Sequence, residues 1–391
     1  MQNSKKKILF VSHKANRSGA PLVLLEIIKE FKKQSTIPFQ ILIVNEGELV
    51  KEFAALGQTY VWNKNNKRIA ISLLQSIIGF FSRTLFIARG VFILFKIRNS
   101  SLVFFNTIAN GHFHKKLLFL KCRYIYYIHE LEAAIYMLTN QQSLQLILNN
   151  TNLFIAVSEA VKNNLVNNYK IEKSIVQVLP TPMGCVSRTK ATYDGFINSF
   201  KKVHLIPADA VIIGAVGPNE WRKGFDLFLP LITLYFNLFP ESNAYFIWKG
   251  FSENNITSFF DLYDYKKFNF KERAILLPHG SDVLEQIACL DIHLLLSRED
   301  PYPLVLLESA SFAIPTICFM DAGGSGEFIE DDCGYCVPYG DLKKMAINLN
   351  ELVQSAGLRN TMGLKAQEKV KLRHDAKKTL PAFIKILESN F

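Results

Sequence analysis

The sequence predicts an α/β fold of two doubly wound parallel-sheet domains, one in each half of the chain. Three observations lead there. Short apolar runs such as KILFVS (Lys7–Ser12) and AVIIGAV (Ala210–Val216) recur along the chain, each passing through a polar loop into a helical pattern. That strand, loop, helix grammar dissolves near residue 184 and starts again near residue 210. At 391 residues the chain also exceeds what one core usually supports.

The first half opens with the strand Lys7–Ser12 and the turn HKANRSGAP, which contains Gly19. Pro21 then stands in the first turn of an apolar-periodic helix, where its missing N–H costs nothing. A glycine-containing loop at a helix start can hold a phosphate, or it can be an ordinary βα turn. No G-x-G-x-x-G is present, so a dinucleotide fingerprint is excluded. Phe39–Val44 is the next strand, followed by an acidic helix near Glu48–Leu56. Ile69–Lys96 is long and apolar, and reads as a core helix pair; the alternative is a basic amphipathic surface resting on anionic lipid. Leu102–Phe105 precedes the polar NTIANGH, and Tyr124–Ile128 ends in His129, on the functional side of such a sheet. His112 and His114 read as solvated loop residues. Leu153–Val157 and Val176–Leu179 complete the strands, and the polar stretch from Gly184 to about Lys202 reads as a domain boundary.

In the second half, Ala210–Val216 leads into the loop GPNEWRKG, which begins at Gly217 and carries Arg222 and Lys223. Adjacent cations between a strand and a helix suit a diphosphate. Strands at Ala244–Trp248, Ala274–Leu277 and Ile292–Leu296 follow, with a helix at Val283–Ala288. The last strand feeds SREDPYPLVLLESASFAIPTICFMDAGGSGE (residues 297–327). Here a proline-broken loop precedes a short helix bearing Glu308, then an apolar run at Pro315–Phe319 and the glycines Gly323, Gly324 and Gly326. Asp300 and Glu308 bracket the helix start, either as an acid/base pair or as acceptors for sugar or ribose hydroxyls. Pro301 and Pro303 lack N–H groups, so an anion at that helix start would meet Tyr302, Leu304 and Val305. Lys371–Leu387 reads as a final basic, apolar helix.

The net charge of +11 is uneven: residues 1–200 hold 25 Lys+Arg and 10 Asp+Glu (+15), and the remainder 20 and 24 (−4). The first half is therefore expected to meet something anionic. Its basic residues are dispersed and carry no nucleic-acid motif, so nucleic acid is not the expected partner. The start shows no signal-peptide pattern. The most apolar region is cut by Arg83 and Arg89, and its longest uncharged piece, Ile69–Ser82, is 14 residues, too short to span a membrane as a helix. Six scattered cysteines form no disulfide framework, so a cytoplasmic location is expected. Cys333 and Cys336 make a C-x-x-C. Zinc would need a second pair, and a redox motif would need a helix where Val337-Pro338 read as extended, so neither role is expected.

SREDPYPLVLLESASFAIPTI, with GGSGEFIEDDCGYCVPYGD after it, resembles the donor-binding region of the family 4 glycosyltransferases. GPNEWRKGFDLFL looks like that family's basic phosphate loop. KILFVSHKANRSGAPLVLLEII, FFNTIANG, YIHELEAAI and FIAVSEAVKNNL look like its N-terminal domain. The resemblance implies a GT-B fold, with two Rossmann-like domains facing a central cleft: 1–190 for the acceptor, 200–370 for the nucleotide-sugar, and 371–391 as a helix crossing back. It implies retaining transfer of a sugar from a nucleotide-sugar to a saccharide or lipid-linked saccharide, in surface polysaccharide assembly at the inner face of the cytoplasmic membrane. Peripheral contact with anionic lipid would explain the basic half. The family's paired-acid motif falls on Asp300, which would hold donor-sugar hydroxyls, and Glu308, which would hold the ribose. Leu304 and Val305 N–H groups would face the diphosphate, and Arg222 and Lys223 would neutralise it as it leaves, with no metal or other cofactor. Gly19 would approach the same phosphates and His129 the transferred sugar. Three positions depart from the pattern: Pro218 stands where arginine often follows the first glycine, Pro303 replaces a usual glycine, and Asp300 is shorter than glutamate. The competing expectation is a non-catalytic nucleotide-sugar-binding or scaffold protein of the same fold.

Overall fold

The computed structural model describes residues 6–63, 75–253 and 256–391. The chain divides into two units, one comprising Met1–Pro182 with Thr379–Phe391, the other Met183–Lys378. Each is a wholly parallel sheet, the two-domain Rossmann-like α/β class that the sequence predicts.

In unit 1 the strands are β1 (Lys7–Lys14), β2 (Phe39–Asn45), β3 (Thr59–Asn63), β4 (Ser100–Phe105), β5 (Arg123–Ile128), β6 (Leu153–Ala156) and β7 (Val176–Val178). Their order is β3-β2-β1-β4-β5-β6-β7, so the connections reverse direction between β1 and β4. That switch point is where ligands of doubly wound sheets bind. β1 is central, and Ile8, Leu9, Phe10 and Val11 are all fully buried. Phe10 meets Phe31 of the helix Gly19–Gln34 edge to face at 5.6 Å. Burying each such side chain contributes roughly 1.5–3 kcal/mol, which is why a continuous apolar run specifies a strand covered on both faces.

Unit 2 repeats the plan with β8 (Val211–Val216), β9 (Ala244–Phe251), β10 (Ala274–Pro278), β11 (Ile292–Leu295), β12 (Thr316–Phe319) and β13 (Gly334–Val337), ordered β10-β9-β8-β11-β12-β13. Alternate residues of β8 serve opposite faces. Val211, Ile213 and Ala215 pack with Phe228 and Trp248, whereas Ile212 packs with Ile287 and Leu290.

Four expectations are corrected. The polar stretch after Gly184 contains a helix, Asp194–Val203, because Phe196, Ile197 and Phe200 share one face and pack on the unit 2 core. The final segment is two helices, Ala356–Arg373 and Ala376–Ser389, broken where buried His374 turns inward to Tyr302. His112 and His114 lie on a helix, Gly111–Leu117, and His114 is fully buried, 3.1 Å from the Tyr126 hydroxyl. Of the apolar stretch Ile69–Lys96, residues 69–74 lie outside the described residues. The rest belongs to one helix, Gln75–Ile97, and from residue 86 onward it is a surface helix rather than a core one. Only Gly90, Ile93 and Ile97 of that part are buried.

Candidate functional site

In both units polar side chains gather where the central strands end. In unit 2, β8 and β11 are adjacent, so the loops that follow them meet. The loop after β8 makes a single turn at Trp221–Lys223 and reverses at Gly224, whose φ of +75° suits glycine. A β-carbon there would stand 2.0 Å from Leu296 O, so only glycine lets this loop lie against the end of β11.

The two loops are zipped together. Arg222 Nη1 donates to Glu299 O at 2.9 Å, and Arg222 O accepts from the Arg298 N–H at 2.9 Å. Lys223 Nζ pairs with Asp300 Oδ2, and both side chains are largely buried. Ser297 Oγ donates to the same carboxylate oxygen at 3.4 Å. Lys223 runs along Gly217, where a β-carbon would stand 3.3 Å from Lys223 Cδ. Gly217, Arg222, Lys223 and Asp300 are thus one cluster. Asp300 is also held by its backbone, which donates to Ala322 O at 2.6 Å and accepts from the Gly324 N–H at 3.2 Å. The glycines after β12 therefore frame the cluster.

Pro303 caps the helix Leu304–Ser311. The Leu304 and Val305 N–H groups lie in its first turn, which has no intrahelical acceptors for them. Glu308 sits on this helix, half-buried, and its carboxylate has no hydrogen-bond partner among the described residues. Burial pushes its carboxyl up to about 7, and the Arg188 charge opposes that rise. Glu308 does not share the Lys223–Asp300 pair, so the two acids are not a coupled dyad. The Tyr302 hydroxyl lies 2.9 Å from His374 Nε2, and burial raises its pKa.

In unit 1, Gly19 is the first residue of the helix Gly19–Gln34, and His129 follows β5. Asn106, after β4, joins their neighbourhoods. Its Nδ2 donates to Ala20 O at 2.6 Å, and its Oδ1 lies 3.3 Å from His129 Nε2. His13, at the end of β1, is a second imidazole here. Burial pushes His13 down to about 4, with Lys14 adding to the effect. It pushes His129 down to about 3, with His13 adding to the effect. Both rings are therefore neutral near pH 7. Buried Glu130 accepts from the Thr107 hydroxyl, from the His129 N–H at 2.9 Å and from the Ile108 N–H at 3.3 Å, which fixes the turn that carries His129.

Sequence reasoning missed Asn106 and His13 as site residues. It also missed Lys249, buried near the end of β9 and paired with Asp282 at 2.7 Å, and Arg298, which grips Asp226 through two 2.7 Å bonds and lies over the Trp221 ring. The available signal was position: each stands in the last residues of a strand or just after one. The C-x-x-C cysteines do not pair with each other. Cys336 Sγ faces Cys318 Sγ across β12 and β13 at 3.6 Å, and Cys333 Sγ donates to Ile329 O at 3.3 Å. No cluster of three or more metal-binding side chains occurs among the described residues.

Comparison with known proteins bears on both units. Residues 196–369 match the family model described as "Glycosyl transferases group 1", so unit 2 carries a domain of that group. The amylovoran biosynthesis glycosyltransferase AmsD of Erwinia amylovora is 32% identical over 94 residues, 24% of this chain and 26% of that protein. The capsular polysaccharide biosynthesis glycosyltransferase CapM of Staphylococcus aureus is 22% identical over 220 residues, 55% of this chain and 56% of that protein. The matches to these curated relatives thus span only about a quarter to a half of their length. Among solved structures, Anabaena HepE in complex with UDP and glucose superposes with a TM-score of 0.76 at 17% identity, covering 98% of this chain and 100% of that one. The S. aureus protein TarM gives 0.71 at 13% identity, covering 98% and 99%. These likenesses show the fold.

Proposed function

We propose that this chain is a retaining family 4 glycosyltransferase that moves a sugar from a nucleotide-sugar to a saccharide or lipid-linked saccharide in surface polysaccharide assembly. The observation that carries the reading is the buried Lys223–Asp300 pair at the joined ends of β8 and β11, beside Arg222 and Gly217. Breaking the bond between the anomeric carbon and the diphosphate leaves negative charge on the departing phosphate. Preorganised cations in a low-dielectric site stabilise that charge without reorganising. In this reading Lys223 and Arg222 take that role, assisted by the Leu304 and Val305 N–H groups. Asp300 accepts from donor-sugar hydroxyls while holding Lys223 in place, and Glu308 accepts from the ribose. Pro303 removes one backbone donor from this helix start. His129, neutral and oriented by Asn106, lines the sugar side, with Gly19 close by. The structural neighbours HepE and TarM were both solved with UDP-containing ligands, HepE among them with UDP-glucose, which favours a uridine nucleotide for the first trial. The basic first unit would work at the inner face of the cytoplasmic membrane, in peripheral contact with anionic lipid.

The test is a panel of nucleotide-sugars scored by thermal shift and by donor hydrolysis, with and without a chelator. We expect stabilisation and slow hydrolysis with one donor class, both unchanged by chelation, since the scheme supplies its charge from side chains. Stabilisation with no hydrolysis, and no transfer to any saccharide tried, would instead select the non-catalytic binding protein.

A further inference from the structure

Two features of unit 1 have no role in the chemistry above. The first is the outer face of residues 86–97 in the helix Gln75–Ile97. Ile87, Val91, Phe92 and Phe95 are each more than half exposed, on the side opposite buried Gly90, Ile93 and Ile97. A helix that is apolar all round is normally enclosed, and a contiguous exposed apolar face marks a docking surface. The second is a cavity of about 540 Å³ at the opposite end of the sheet from His129, where β1, β4 and β5 begin. Lys6, Arg98, Lys121 and Arg123 line it, with no aspartate or glutamate among its lining residues. Ser101 lines it too, and its buried Oγ has no hydrogen-bond partner among the described residues.

The two features are physically continuous. Arg98 follows the helix directly, lines the cavity, and stacks its guanidinium on the Phe95 ring at 3.7 Å. Lys96 lies over Phe92 at 5.1 Å, and exposed Phe119 stands two residues before Lys121. Apolar rings beside cations, with a cation-lined hollow at their border, match the cross-section of a membrane interface. Rings enter the acyl boundary while cations meet phosphates. Among the described residues no helix is long and apolar enough to cross a membrane.

We infer that this cavity binds the phosphate of an anionic phospholipid headgroup while the outer face of residues 86–97 sits in the interface. The inference deepens the membrane contact proposed above, and rests on it, by naming the surface and the group it binds. It also fixes an orientation: the β1, β4 and β5 starts face lipid, and the His13–Asn106–His129 end of the same sheet points away.

The experiment is co-sedimentation of the full chain with phosphatidylcholine vesicles and with vesicles that also contain phosphatidylglycerol. The wild type, Arg98→Glu/Arg123→Glu and Val91→Ser/Phe95→Ser are compared, with far-UV circular dichroism as the folding check and donor hydrolysis measured in the same samples. We expect sedimentation with the anionic vesicles only, weakened by about tenfold or more in each double variant. Donor hydrolysis in solution should be unchanged. Equal binding to both vesicle types, or retention by folded Arg98→Glu/Arg123→Glu protein, overturns the inference. So does binding of inorganic phosphate at this cavity with neither vesicle bound, which would mark a soluble-anion site. Loss of hydrolysis with these vesicle results intact would count against the transferase alone.

Discussion

The two units share one sheet plan and differ in what they place at its ends. In unit 2 the ends of β8 and β11 hold a lysine, two arginines and a carboxylate, tied by ion pairs and backbone bonds. In unit 1 the ends of β1, β4 and β5 hold two neutral imidazoles, an amide and a buried carboxylate committed to its own turn. The lysines and arginines that line a cavity in unit 1 stand at the other end of its sheet. The topology therefore provides a place for ligands but does not choose their charge; the loop residues do that. On the proposed reading, the unit 2 end would meet a diphosphate, and the unit 1 end hydroxyl groups that need hydrogen bonds and no counter-charge.

The strongest attack on this contrast separates charge from stability at Lys223. Replacing Lys223 by methionine leaves Asp300 buried and unpaired, which costs roughly 3–5 kcal/mol of stability. It should also lower transfer by about 100- to 1000-fold. Adding Asp300→Asn removes the unpaired charge, so urea unfolding should recover most of the lost stability while transfer stays low. If the double variant regains transfer along with stability, Lys223 is scaffold and the charged end of unit 2 is structural.

A smaller effect is expected at Glu308. Its carboxyl titrates at about 7 in the folded protein against 4.5 for the free side chain. Between those values the folded chain binds more protons than the unfolded one, so stability falls as pH rises through that window. Glu308→Gln has no charge to bury. It should exceed the wild type in stability above pH 7, by on the order of 2–3 kcal/mol, and match it below about pH 4.5. The same variant should bind the nucleotide about 10- to 100-fold more weakly at pH 8, since it loses a charged acceptor for the ribose. Wild-type affinity should rise through pH 7 and that of the variant should stay flat. A variant that binds nucleotide like the wild type removes Glu308 from the donor site.

Much of this contrast was legible in the residues alone, for a physical reason. Central parallel strands are buried on both faces, so runs such as Ile8–Val11 and Val211–Ala215 carry no alternation that could be misread. The edge strand β3 is only half-buried and leaves no such run. The helix Asp194–Val203 was hidden because three apolar residues suffice to dock it amid polar neighbours. Arg222, Lys223 and Asp300 stood out because each follows a strand. The pairing of Lys223 with Asp300, 77 residues apart, did not, because it depends on β8 lying beside β11. His114 was misjudged for a related reason: Tyr124 and Tyr126, which pack against it, lie on a strand that comes later in the chain.

The mildest prediction tests the neutral end of unit 1. Burial holds His129 near 3 and His13 near 4, so neither ring gains a proton between pH 5.5 and 8.5. His129 can then contribute only hydrogen bonds, and losing one such bond costs about 1 kcal/mol, or roughly fivefold. His129→Asn should therefore reduce transfer by the same small factor at every pH in that range. An inflection between pH 5.5 and 8.5 in the wild type that vanishes in His129→Asn would show a titrating imidazole. The unit 1 end would then carry charge during turnover, and the contrast between the two units would fail at the residue that best defines it.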